Sequence, residues 1–160
     1  MYVGRKLEQK PKIHMMKTAI FPGTFDPFTL GHQDIVNRAL PIFDKIIIAI
    51  GVNEEKIPLF PLAERMEMIG KSFINNEKII IETYTGLTGE FCKKYNAQFL
   101  IRGIRNAVDF QYENDLAQAN KEMFGIETVF FVTTPTLSHI SSSLVRELYK
   151  NKGNYLNYLP

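Results

Sequence analysis

Three short stretches of the sequence concentrate residue types that bind and polarise phosphate. The first is Phe21-Pro22-Gly23-Thr24-Phe25-Asp26-Pro27-Phe28-Thr29-Leu30-Gly31-His32. Its prolines fix backbone angles, and its glycines permit tight turns and close approach to a ligand. His32 falls at or near a helix start, where free N–H groups and the dipole attract anions. As a plain strand-to-helix connector the string is too long, because such loops need about 2–6 residues. The second stretch is Ile101-Arg102-Gly103-Ile104-Arg105. Guanidinium forks match phosphate oxygens, and the glycine lets backbone join the contact. The alternative, a surface pair bonded to Asp109 or Glu113, stands at even weight on these residues alone. The third is Pro135-Thr136-Leu137-Ser138-His139-Ile140-Ser141-Ser142-Ser143. Serines opening a helix offer hydroxyls and unpaired backbone donors; simple capping accounts for one serine and poorly for three. His139 alone reads as a structural or surface histidine.

What the stretches share is polyphosphate chemistry. A histidine with no evident nucleophilic serine, cysteine or carboxylate partner suggests phosphoryl transfer by positioning and charge stabilisation. Two other features carry no such chemistry. Gly70-Lys71-Ser72 resembles the end of a P-loop, but Arg65 stands at the required upstream glycine, and no G-x-G-x-x-G occurs. Cys92 sits in a helical pattern without a base partner and reads as a buried, inert thiol.

The elements that must hold these stretches follow from the apolar pattern. Strands are predicted at Thr18–Phe21, Lys45–Val52, Lys78–Thr83, Gln98–Arg102 and Glu127–Thr133, each short and nearly continuous in apolar character, as in parallel strands covered on both faces. Helices are predicted at Gly31–Phe43, Pro61–Ile74, Thr88–Tyr95, Asp109–Phe124 and Ser141–Lys150, and the tyrosine-rich Gly153–Pro160 as a short helix or packing tail. Five such units with right-handed crossovers make an α/β domain with a doubly wound, five-stranded parallel sheet. If its order is 3-2-1-4-5, strands one and four adjoin where the order reverses, and ligands bind beyond the strand ends there. All three phosphate-type stretches would then converge on one crevice.

Composition bounds the remainder. The 160 residues are 45% hydrophobic and 22% charged, with a net charge of +2, which excludes disordered, collagen-like and disulfide-scaffold classes. Arg5, Lys6, Lys10 and Lys12 against Glu8 place +3 in the first fifteen residues and leave −1 for the rest. The body therefore offers no diffuse footprint for nucleic acid. The longest apolar run, Ile46 to Val52, is far below the ~20 residues of a membrane helix. One cysteine excludes an internal disulfide and suits a reducing compartment. Residues 1–15 read as a disordered extension, a cloning remnant or an upstream start, and 16–160 as a single domain.

Gly23-Thr24-Phe25-Asp26-Pro27 with Thr29-Leu30-Gly31-His32 resembles the (H/T)-x-G-H signature of the nucleotidyltransferase superfamily, and Ile140-Ser141-Ser142-Ser143 resembles its second signature. Arg102-Gly103-Ile104-Arg105 followed by Asp109-Phe110-Gln111-Tyr112-Glu113 narrows the resemblance to the bacterial pantetheine-phosphate adenylyltransferases, from Lys17 to Pro160. The resemblance implies a Rossmann-like nucleotidyltransferase fold, with 16–160 a single nucleotidyltransferase domain, and adenylyl transfer from ATP to 4′-phosphopantetheine. Dephospho-coenzyme A and pyrophosphate are the products, and Mg2+ is the cofactor. It implies that Thr24 and Lys56 hold the attacking phosphate, while His32 stabilises charge on the α-phosphate. It puts Thr24, Phe25, His32, Gly103, Ile104, Arg105, Glu113, Leu137, Ser138, His139, Ile140, Ser141, Ser142 and Ser143 at the ATP site. Thr24, Lys56, Thr88 and Arg102 take the second substrate, and no residue is a metal ligand. A cytoplasmic homohexamer with coenzyme A as feedback inhibitor, and with neither nucleic-acid nor membrane partners, is the implied setting. The chain departs from the family pattern at Gly86-Leu87-Thr88-Gly89, in a shorter Phe124-Gly125-Ile126 region and in ending at Pro160.

Competing readings are a superfamily enzyme acting on nicotinamide mononucleotide or glycerol phosphate, a nucleotide sensor without catalysis, and a nucleic-acid module. The Arg102–Arg105 and Asp109–Glu113 strings oppose the first. Joint retention of Thr24, His32, Lys56 and both arginines opposes the second, and the body's charge opposes the third.

Overall fold

Each apolar run becomes a strand in the computed structural model, which describes residues 15–53 and 55–160. The expectation for residues 1–15 falls, Met15 aside, outside the described residues. Strands β1 (Thr18–Gly23), β2 (Lys45–Gly51), β3 (Ile79–Tyr84), β4 (Phe99–Ile104) and β5 (Glu127–Val132) form one sheet of order β3-β2-β1-β4-β5. All pairs are parallel, with Ile20 opposite Ile47 on one side and Leu100 on the other. This is the order expected from the sequence, with its reversal between β1 and β4.

Helices α1 (Leu30–Ala39), α2 (Leu62–Ser72), α3 (Thr88–Lys94), α4 (Ala107–Phe124) and α5 (Ser142–Lys150) cover both faces. Alternating side chains of a strand point to opposite faces, so the unbroken run in β2 feeds two cores. Ile46, Ile48 and Ile50 pack with Ile35, Val36 and Ala39 of α1 and Ile69 of α2. Ile47 and Ala49 pack with Phe91 and Cys92 of α3 on the other side. Each fully buried isoleucine is worth about 1.5–3 kcal/mol relative to exposure.

Capping chemistry shifts the helix boundaries. α4 starts two residues before Asp109 because Asn106 caps it, its Oδ1 accepting the Asp109 N–H at 2.9 Å. Pro61 is the cap of α2 rather than part of its first turn, and α1 stops at Ala39, two residues before Pro41. The C-terminal residues form a short 3-10 turn, Leu156–Tyr158, and also pack: Tyr155 lies 5.1 Å from the Tyr149 ring, itself 5.4 Å from Phe60. Cys92 is fully buried, and burial pushes its thiol up to about 11, as an inert thiol requires.

Candidate active site

Between the carboxyl ends of β1 and β4 opens a cavity of about 410 Å³ lined by all three phosphate-type stretches. Thr24, Phe25 and His32 come from the first, Arg102, Gly103 and Arg105 from the second, and Ile140 to Ser143 from the third. Two neighbouring cavities share its walls. One of about 340 Å³ lies between the ends of β2 and β3 and helix α4, lined by Tyr84, Thr88, Leu116, Asn120 and Thr128, and by Arg102 and Glu113, which also border the first cavity. The other, about 410 Å³, holds Lys56 with Asp26, Arg65 and Arg146. Thr24 lines all three.

The first stretch folds as a tight loop over the end of β1. Phe25 has a φ of 47°, a left-handed conformation that costs a bulky residue energy. A Cβ at position 23 would lie 2.9 Å from the Phe25 ring, so only glycine fits beneath it. The Asp26–Pro27 peptide is cis. Asp26 is buried, and its carboxylate accepts the N–H groups of Phe60 at 2.8 Å and Leu59 at 2.9 Å, tying the loop to the chain before α2.

His32 is the third residue of α1 and completes a capping box with Thr29. Its Nδ1 accepts the Thr29 N–H at 3.0 Å. The ring lies stacked on Phe28 at 5.4 Å and edge-on to Phe25 at 5.1 Å. This partial burial, followed by the charges of Arg105 and Arg102, pulls its pKa down from 6.5 to about 4. At neutral pH the ring is uncharged and serves as a hydrogen-bond donor or acceptor, not a cation.

Both arginines are held by carboxylates of α4, so the ion pairs of the sequence alternatives are present, on residues that line the central cavity. Arg102 donates from Nε and Nη2 to the two Glu113 oxygens, with the Nε bond at 2.6 Å, and from Nη1 to the Pro22 carbonyl at 2.9 Å. Arg105 donates from Nε to Asp109 at 2.9 Å. Gly103 between them leaves room for the tip of Ile35, since a Cβ there would sit 2.3 Å from its Cδ1. The three serines divide their work. Ser141 caps α5 by accepting the Leu144 N–H at 3.1 Å, Ser142 donates to the Pro27 carbonyl at 2.8 Å, and Ser143 accepts from Arg146 at 3.1 Å.

Not every expected residue lines the central cavity. Ile104 is a buried strand residue, Leu137 is half-buried, and Ser138 and His139 are exposed on the connection to α5; none of the four borders it. His139 meets the Tyr158 ring at 6.0 Å. Lys56 is exposed in the third cavity, and Thr88 is in the second, where its hydroxyl lies 2.9 Å from that of Tyr84. Sequence reasoning passed over Arg146, which borders both the central and third cavities and donates to the Asp26 carbonyl at 2.7 Å. Its signal was a position one helical turn beyond Ser143.

Known proteins resemble this chain in sequence and fold. The cytidylyltransferase-like family model matches residues 20–148. A phosphopantetheine adenylyltransferase of Cytophaga hutchinsonii is 50% identical over 147 residues, covering 91% of this chain and 98% of that one. One from Christiangramia forsetii is 46% identical over 145 residues, covering 91% and 96%. The chain belongs to the phosphopantetheine adenylyltransferase family. A bifunctional NMN adenylyltransferase/ADP ribose pyrophosphatase of Francisella tularensis has the same fold, with a TM-score of 0.67 at 17% identity over 91% of this chain and 44% of that one. In this chain the G-T-F-D-P loop, the R-G-I-R strand end and the S-S-S helix start are the parts that the fold brings to one cavity.

Proposed function

We propose that the chain transfers the adenylyl group of ATP to 4′-phosphopantetheine, giving dephospho-coenzyme A and pyrophosphate. The observation that carries this reading is the shared wall of Thr24, Arg102 and Glu113 between the central cavity and the Tyr84–Thr88 cavity. Two ligands bound on either side of that wall meet at the Thr24 loop. The 44–50% identity to adenylyltransferases of this name over most of the chain supports it.

The reaction needs little covalent chemistry from the protein. An oxygen of the acceptor phosphate attacks the α-phosphorus in line, the bond to the bridging oxygen breaks, and pyrophosphate leaves with the electron pair. His32, neutral and with Nδ1 committed to Thr29, donates from Nε2 to an α-phosphate oxygen as charge shifts onto it. Arg105 and the α5 N-terminus at Ser142 and Ser143 hold the β- and γ-phosphates, and Arg102, Thr24 and Lys56 hold the acceptor. Magnesium is expected to arrive with ATP. Among the described residues no three His, Cys, Asp or Glu side chains cluster to hold a metal.

The same reading includes a homohexamer, and α4 supports an assembly. None of its 18 residues is buried, and Val108, Phe110, Tyr112, Leu116 and Met123 are exposed on it. Coenzyme A, which shares the pantetheine arm, would compete for the second cavity as a feedback inhibitor. A cytoplasmic location accords with a single cysteine, and no helix among the described residues is long and apolar enough to cross a membrane. The test is a pyrophosphate-release assay with dephospho-coenzyme A followed by mass. Release should require both ATP and 4′-phosphopantetheine. Equal release with nicotinamide mononucleotide as acceptor, or with ATP alone, overturns the reading.

A further inference from the structure

Arg65 lies on α2 outside the central cavity, yet it is only 4% exposed. Its Nη1 donates to the Thr24 carbonyl at 2.6 Å and its Nε to the Phe60 carbonyl at 3.0 Å. Burying a guanidinium is costly unless its donors are used, so a charge spent on two main-chain carbonyls calls for a reason. Phe60 in turn donates its N–H to Asp26, two residues after Thr24. Arg65, Phe60, Asp26 and Thr24 therefore close a ring of bonds that fixes the guanidinium against the loop from two sides.

We propose that Arg65 is a positioning residue that turns the Thr24–Phe25 peptide so that the Phe25 N–H faces the nucleotide phosphates. In a trans peptide the C=O and N–H point in opposite directions. The Thr24 carbonyl is drawn toward Arg65, on the side of the Lys56 cavity, which Thr24 and Arg65 line and Phe25 does not. The N–H is thereby sent to the other side, toward the His32 cavity, which Phe25 lines and Arg65 does not. There it donates to nothing among the described residues. The positive φ of Phe25 fits this account, because backbone held in a costly conformation next to a site is held there by its surroundings. Arg65 thus acts through a peptide, without touching substrate.

The inference rests on the adenylyltransferase reading, and the experiment separates the two. Wild type, Arg65→Lys and Arg65→Met are assayed for dephospho-coenzyme A formation with both substrates varied, alongside thermal melting. Lysine keeps the charge but cannot span both carbonyls with a rigid fork. In R65K, kcat should fall by about tenfold or more, the size of effect a small misplacement produces. The two KM values should stay within about threefold, the pattern of an interaction made mainly in the transition state. R65M should fall further. Should neither variant fold, the wild-type amide decides. The 15N-resolved Phe25 resonance should move strongly, and its exchange should slow, when a non-hydrolysable ATP analogue is added. A Phe25 amide indifferent to the analogue overturns the inference, as does an R65K enzyme with unaltered kcat. An inactive wild type overturns the adenylyltransferase reading and this inference together.

Discussion

The Nδ1 of His32 accepts the main-chain N–H of Thr29 at 3.0 Å, so the single proton of the neutral ring resides on Nε2. A helix cap thereby sets the tautomer of the residue best placed to stabilise transferred charge. The cap and the proposed catalytic donor are one side chain, so in the proposed reaction local folding of α1 prepares the chemistry.

This arrangement fixes a pH dependence. The folded pKa of His32 is pulled down to about 4 by burial, Arg105 and Arg102, against 6.5 when unfolded. Between those values the unfolded chain binds a proton that the folded chain refuses. The contribution to stability is thus present above about 6.5 and lost as pH falls toward about 4. Urea midpoints of wild type and His32→Asn should run parallel above neutrality and converge or cross in that window. Parallel curves down to the lower limit would show that the ring titrates normally. ATP should raise the His32 pKa, since phosphate charge favours the imidazolium, and an NMR titration with an analogue reads that directly.

Removing the ring separates binding from chemistry. His32→Ala should lower kcat on the order of 10²–10³, about 3–4 kcal/mol, as for a lost oxyanion-hole donor. ATP affinity by calorimetry should change much less, because Arg105 and the serines remain. The ring also packs on Phe25 and Phe28, so the alanine variant should melt earlier while still folding; His32→Asn, which refills part of the space, should keep the kinetic defect with less loss of stability. Near-normal turnover in both would remove His32 from the mechanism.

Arg102 and Arg105 should fail differently. Arg105 borders only the central cavity, whereas Arg102 stands on the wall shared with the second. Arg105→Ala should weaken ATP and pyrophosphate binding more than that of 4′-phosphopantetheine, and Arg102→Ala the reverse. Arg102→Ala also leaves Glu113 without its bidentate partner, so Arg102→Ala combined with Glu113→Gln should be more stable than Arg102→Ala alone. Titrations showing equal losses for both ligands in both variants count against the assignment.

Periodicity and turn chemistry made the strands, the helices and the three phosphate-type stretches legible in the sequence; the order 3-2-1-4-5, and with it their convergence, is a supposition that the fold bears out. What stayed hidden was the work of long-range polar contacts. In the sequence Arg65 figures only as the residue that excludes a P-loop, and its 41-residue reach to the Thr24 carbonyl belongs to the fold. Asp26 carries no marked role in its string, yet it holds two N–H groups on the approach to α2. Such partners are far apart in sequence, so no local pattern marks them. The serine run shows the converse. Its type and spacing pointed to the site, but the separate tasks of Ser141, Ser142 and Ser143 depend on Pro27 and Arg146, brought close only by the fold.

Gly103 joins packing to catalysis in a way that a mutant cycle can isolate. A Cβ added at position 103 would stand 2.3 Å from Cδ1 of Ile35 but 3.6 Å from its Cγ1. The clash is therefore with one methyl group at the end of a side chain. Ile35 sits on α1, one turn after His32, and that helix packs over β4. Gly103→Ala should cost about 1–3 kcal/mol, as overpacking of a filled core does, and should move α1 enough to lower kcat. Ile35→Val alone deletes the offending methyl and should cost about 0.5–1.5 kcal/mol. In the double variant the new methyl occupies the space the old one left, so both melting temperature and kcat should recover toward wild type. A favourable coupling of about 1 kcal/mol or more is the expected sign of direct contact. Additive losses would instead place the effect of Gly103 in the backbone of β4 itself, with no path through α1 to His32.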